Sequence, residues 1–99
     1  MLFMVRFTDK PDRLDIRQAH IAAHMEWLAL HSEQIRIGGP LREFPEANPV
    51  GAMWLVEAES RAGVDALLAT DPFWTNGLRA AVEILEWRKA VPAGPATIG

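Results

Sequence analysis

The stretch QIRIGGPLREFPEANPVGAMWLVEA, residues 34–58, decides the fold because it reads as two strands in succession. Gln34 to Ile37 begins the first, with Ile35 and Ile37 in alternation. Gly38-Gly39-Pro40 interrupts its pairing and reads as a bulge or an edge, beyond which Leu41 to Phe44 continues the strand. Pro45 to Gly51 has the Pro, Asn and Gly content of a hairpin connection. Ala52 to Ala58 then forms the next strand around Met53, Trp54, Leu55 and Val56.

Upstream, Leu2 to Thr8 is a short apolar run with Phe3, Val5 and Phe7 on one face and Leu2, Met4 and Arg6 on the other, as in a strand covered on both sides. A Pro- and Asp-bearing loop follows, and Asp15 is placed to cap a helix running to about His31. In that helix Ile16, Ala19, Ala23, Trp27 and Leu30 recur at three- and four-residue steps and predict a core-facing stripe. Downstream, Ser60 caps a helix over Arg61 to Thr70 that must stop where Asp71 precedes Pro72, and a brief helical turn follows. Arg79 to Val91 alternates through Val82, Ile84, Leu85 and Trp87 as the last strand. The order is β-α-β-β-α-β: a ferredoxin-like α+β domain, residues 1–91, with two helices on one face of a four-stranded antiparallel sheet. Residues 92–99 are expected to form a flexible C-terminal tail. The other sheet face carries large apolar residues, too many to leave wet on a monomer, which predicts a homodimer through the sheets.

Composition narrows the function classes. Ninety-nine residues support one core, and hydrophobic residues at 49% with charged ones at 23% match ordinary globular usage. Ten Lys and Arg against 13 Asp and Glu, a formal net charge of −3, provide no basic surplus for phosphate backbones or anionic lipid. No apolar run approaches the ~20 residues of a bilayer span, so neither nucleic acid nor membrane is expected and the location reads as cytoplasmic. Zero Cys excludes disulfides, thiolate zinc sites and cysteine nucleophiles. The Gly38-Gly39-Pro40 element lacks the glycine spacing and Lys of a phosphate loop, and there is no Gly-x-Ser-x-Gly.

His20, His24 and His31 fall close together around the first helix, but eleven residues at 1.5 Å rise separate His20 from His31 by ~16 Å. They cannot both ligate one ion, and a His20/His24 pair without a Glu between is a weak metal signal, so no metal is expected. Asp71 before Pro72 fits a helix N-cap, and equally a carboxylate that orients an imidazole. Arg6, in an otherwise apolar strand, needs a partner: a ligand anion, or Glu57 or Glu83. Of the four Trp, Trp74 beside the Asp71 turn is the one placed to line a small pocket.

The first strand, the helix RQAHIAAHMEWLAL (Arg17 to Leu30), Gly39-Pro40-Leu41, the Gly51-to-Glu57 strand and Asp71-Pro-Phe followed by Gly77 together resemble the YCII-related (YciI-like) family of the dimeric α+β barrel superfamily. The resemblance implies a His and Asp pair in a cleft, carried by His24 and Asp71. Arg-x-x-His spacing from Arg17 selects His20 instead, while the distance to Gly39-Pro40 and the following Trp27-Leu28 favour His24. One resembling branch acts as a cofactor-free dehydrochlorinase on chlorinated hydroxyquinols. The expectation is therefore a cofactor-independent lyase or isomerase for an aromatic or lactone-like metabolite, with His24 and Asp71 catalytic, and Arg6, His20 and Trp74 binding substrate. The competing reading is a dimer of the same fold that binds a small molecule without turnover.

Overall fold

Strand β1, Leu2–Asp9, sends Phe3, Val5 and Phe7 to one side, where each is at most 3% exposed, and Met4, Arg6 and Thr8 to the other. The alternation is the two-residue period of a strand, and it decides which face the helices cover. In the computed structural model, which describes residues 1–91, β1 pairs antiparallel with β3, Gly51–Glu57, on one side and with β4, Arg79–Glu86, on the other. Strand β2, Ile35–Leu41, pairs with β3 at the edge, giving the sheet order β2-β3-β1-β4. Between the strands lie α1 (Leu14–Leu30), α2 (Arg61–Leu68) and the single turn α3 (Pro72–Thr75). The β-α-β-β-α-β order and antiparallel sheet are those of the ferredoxin-like fold expected. The expected tail at 92–99 lies outside the described residues.

One core joins the layers. Phe3, Val5, Phe7, Ala52, Trp54, Val56 and Ile84 from the sheet meet Trp27 of α1 and Val64, Leu67 and Leu68 of α2. A second cluster of Ile16, Phe73 and Leu78 ties α1 to the α3 turn. Helix α2 begins where Ser60 accepts the Gly63 amide at 3.1 Å, as its sequence predicts. Gly51 is required by close approach: a Cβ there would lie 1.9 Å from the Phe7 carbonyl oxygen.

Local details differ from expectation. The β2 register shift falls between Ile35 and Ile37, while Gly38, Gly39 and Pro40 pair in register with Trp54, Met53 and Ala52. Pro40 is tolerated because β2 is an edge strand. Asp15 lies inside the first turn of α1 and pairs with Arg13, the N-cap residue, so it does not cap. The buried residues of α1 are Ile16, His24 and Trp27, whereas Ala19, Ala23 and Leu30 are exposed. The helix is apolar on several sides, so periodicity alone does not mark its core face. Strand β4 ends at Glu86, leaving Val91 84% exposed. Among the described residues no helix is long and apolar enough to cross a membrane.

Candidate active site

Three features of α1 and its neighbours build the site. Trp27 is fixed by its indole N–H, which donates to Thr70 Oγ1 at 2.9 Å, and His24 lies one turn earlier on the same buried face. The His24 ring stacks on Phe73 at 4.0 Å with 16° between planes, and lies 6.3 Å from the Trp27 ring with 19° between planes. The imidazole is thereby held in one orientation by packing.

The α3 turn supplies the partner. Asp71 precedes Pro72, and its extended backbone and fully buried side chain make it the N-cap, with Oδ1 accepting the Phe73 amide at 3.1 Å. The same oxygen accepts from His24 Nδ1 at 2.6 Å. An ionised carboxylate only accepts, so Nδ1 carries a proton, and in the neutral imidazole Nε2 is then the lone-pair acceptor. Capping and orientation of the imidazole are thus one arrangement. The two residues are 47 positions apart, and Oδ2 of Asp71 is buried without a partner.

A second charged group sits beside this pair. Asp9, just past the register shift of β1, bridges two guanidiniums: Oδ2 accepts from Arg17 Nη2 at 2.5 Å and Oδ1 from Arg79 Nη1 at 2.7 Å. Asp9 continues the two-residue period of Phe3, Val5 and Phe7, which puts it on the helix-covered face. Arg79, its side chain 1% exposed, lies over the rings of Phe7 (4.5 Å) and Phe73 (5.2 Å), and Arg17 lies 5.1 Å from Phe73. Burial holds the Arg79 guanidinium below its usual pKa, with the Asp9 hydrogen bond and charge opposing it.

His24, Arg17 and Arg79 all line a cavity of about 470 Å³ between α1 and the β2–β3 hairpin. Ile21, Met25, Leu28, Pro40, Ala52 and Trp54 give it apolar walls of the kind that line small-molecule sites. The Gly39-Pro40 segment therefore belongs to the site, as does His24. The other sequence candidates lie elsewhere. Arg6 is on the opposite sheet face, where it pairs with Glu83 at 2.7 Å, the structural alternative expected for it. His20 is half-buried and Trp74 is 36% exposed with its ring 6.4 Å from Phe7, and neither lines the cavity. His31 ends α1, packed 4.7 Å from Trp27. Among the described residues no group of three or more His, Cys, Asp or Glu is placed to hold a metal.

Sequence reasoning did not single out Asp9, Arg79 or a site role for Arg17. Arg17 precedes His24 by seven residues, which puts both on one helical stripe and was the available signal. Asp9 and Arg79 meet only through strand register.

A small ferredoxin-like α+β domain with a buried His–Asp pair opening on a lined cavity is the class these observations define. Within it, the chain belongs to the YCII-related family, whose domain model matches residues 1–88. It is similar to 5-chloro-2-hydroxyhydroquinone dehydrochlorinase (TftG) of Burkholderia phenoliruptrix, solved in complex with 2,5-dihydroxybenzoquinone: 32% identity, 89% of this chain and 94% of that one covered, TM-score 0.81. The fold alone is shared with SnoaB of Streptomyces nogalater, a cofactor-independent oxygenase (17% identity, 93% and 96% covered, TM-score 0.53). It is shared too with an uncharacterized NIPSNAP domain protein of Burkholderia xenovorans (12%, 96% and 100%, 0.53). No curated protein matches the chain.

Proposed function

We propose that the protein is a small cofactor-independent lyase or isomerase acting on an aromatic or lactone-like metabolite. The observation that carries this reading is the His24 Nδ1–Asp71 Oδ1 hydrogen bond of 2.6 Å, buried, on a ring that lines the cavity. On a lactone-like substrate His24 Nε2 takes a proton from a carbon next to the carbonyl, and the electrons of that C–H bond form the new double bond. On a chlorinated hydroxyquinol it takes a ring hydroxyl proton, the O–H electrons form a ring carbonyl and the ring takes a proton up at the chlorine-bearing carbon, from which chloride leaves as a second hydroxyl loses its proton and becomes the other carbonyl. In a lyase the leaving group departs with its bonding pair; in an isomerase the imidazolium returns the proton to another carbon. Asp71 holds the tautomer and stabilises the imidazolium as it forms. The likeness to TftG, a dehydrochlorinase, supports a halogenated hydroxyquinol as the first substrate to assay.

The test is chloride release from 5-chloro-2-hydroxyhydroquinone by the wild type, His24→Asn and Asp71→Asn, with thermal stability measured beside it. A positioned base contributes roughly 10²–10⁴-fold, so His24→Asn should lose activity on that scale. Asp71→Asn retains an acceptor for the Phe73 amide and should change stability by less than about 1 kcal/mol while activity falls more than about tenfold. Substrate binding with equal, background turnover in all three proteins would favour the reading as a binding dimer without catalysis.

We also propose that the open sheet face is covered by a second copy of the chain. Ile37, Met53, Leu85 and Trp87 on that face are 37–50% exposed and flank Met4 and Leu55, which supports an isologous contact.

A further inference from the structure

The two buried tryptophans of the core differ in what their indole N–H groups meet. Trp27 donates to Thr70 Oγ1 at 2.9 Å. Trp54, 1% exposed, donates to no group among the described residues. Its nitrogen is nevertheless not sealed in: the buried polar side-chain atoms left without a partner are Arg17 Nε, Asp71 Oδ2, Arg79 Nε and Arg79 Nη2, and Trp54 Nε1 is not among them. The little surface that Trp54 keeps therefore includes this N–H, and the residue lines the cavity of about 470 Å³. Strand register explains its direction. Trp54 stands opposite Gly38 across the β2–β3 pair, and a Cβ on Gly38 would lie 3.0 Å from Trp54 Cδ1 and 3.6 Å from Nε1. The N–H edge of the ring thus lies toward β2, where the glycine leaves room, whereas Phe7 meets the ring at 4.6 Å from β1, on the other side of β3. A donor held in an apolar cavity without an acceptor is unfavourable by itself, and it is the kind of group that orients a bound ligand.

We propose that Trp54 Nε1–H donates to the carbonyl oxygen of a neutral, lactone-like ring bound in this cavity, with Gly38 keeping the approach to the N–H open. This rests on the reading above that the cavity takes a small substrate, and it adds the group by which that substrate is oriented. The rings of His24 and Trp54 both neighbour Trp27, at 6.3 Å and 5.4 Å, and both residues line the cavity, so the donor and the base belong to one compartment. As His24 Nε2 takes the proton from the carbon next to the carbonyl, the C–H pair becomes the new double bond and the carbonyl π pair moves onto the oxygen. The Trp54 N–H stabilises the charge that builds there. A ring that only covers a strand glycine would need no donor, and this alternative is what the experiment separates.

The experiment titrates the full chain with phthalide, a neutral lactone, and with indane, the same bicyclic skeleton without oxygen, and follows nitrogen–proton and methyl NMR spectra. Phthalide should move the Trp54 indole N–H signal downfield, as a newly formed hydrogen bond does. Indane should not produce that shift, and the Trp87 indole on the open sheet face should stay fixed with both. In the isotherms, Trp54→Phe should weaken phthalide about fivefold or more relative to indane. Gly38→Ala, which sets a methyl group against the N–H edge, should act in the same direction, and it decides the matter if Trp54→Phe does not fold. Trp74→Phe, outside the cavity, should keep the wild-type ratio. Shifts at the Met25 and Ala52 methyl groups with an unmoved Trp54 N–H sink this proposal and leave the cavity as a small-molecule site. A phthalide-to-indane ratio unchanged in both Trp54→Phe and Gly38→Ala overturns it equally. If neither probe moves any of these signals at millimolar concentration the proposal fails, and the catalytic reading stands or falls separately on turnover in His24→Asn.

Discussion

The two faces of the sheet contain ion pairs of the same length in opposite surroundings. On the open face Arg6 meets Glu83 at 2.7 Å with side chains 57% and 46% exposed. On the helix-covered face Arg79 meets Asp9 at 2.7 Å with side chains 1% and 5% exposed. In the single chain water screens the first pair, so it contributes about 0–1 kcal/mol to the stability of the monomer. The second pair has lost its hydration, and burial is the larger influence on Arg79, lowering its pKa despite Asp9. A base whose pKa falls on folding holds its charge at a net cost at every pH below that folded value; a guanidinium titrates far above neutrality, so the cost is fully present at neutral pH. Equal geometry therefore marks a pair exposed on the single chain on one face and a desolvated charge pair on the other.

Substitutions can break this contrast. The largest effect falls on the covered face: His24→Asn should lower turnover roughly 10²–10⁴-fold, read as initial rates on a chlorinated hydroxyquinol. Next, Asp9→Ala leaves two cations without their carboxylate and should destabilise by about 3–5 kcal/mol in urea unfolding. A smaller change would mean that water reaches this cluster. Leu85→Glu, on the open face, places a charge among Ile37, Met53 and Trp87. On the proposed sheet-to-sheet dimer it should weaken self-association by about tenfold or more in analytical ultracentrifugation, with the monomer fold intact by circular dichroism. Smallest of all, Arg6→Gln should alter monomer stability by no more than about 1 kcal/mol and leave ligand binding unchanged. An Arg6→Gln variant that loses ligand binding would collapse the contrast between the faces.

The elements of the fold were legible because each follows a local rule. Phe3, Val5 and Phe7 alternate, Ser60 caps, Asp71 precedes Pro72, and the residue 34–58 hairpin puts two strands between the helices. The site was legible in part. His24 and Asp71 came from the family resemblance, and the structure places them in hydrogen-bond contact. The Asp9 bridge was not legible, because Arg17 and Arg79 reach it from a helix and from a neighbouring strand, and only tertiary register brings them together. Arg6 was misleading for a related reason: alternation tells that a strand has two faces, and says nothing about which face the helices cover. The apolar stripe of α1 fails likewise, since Ala19, Ala23 and Leu30 match the helical period yet face solvent while His24 is buried.

Nitrogen NMR of histidine-labelled protein tests the central claim most directly, by reading the protonation of each His24 ring nitrogen with and without 2,5-dihydroxybenzoquinone. Expected are a hydrogen-bonded Nδ1–H that weakens in Asp71→Asn, and an unprotonated Nε2 whose signal moves when the quinone is added. A proton on Nε2 in the free protein, or an Nε2 signal indifferent to the quinone, would contradict it.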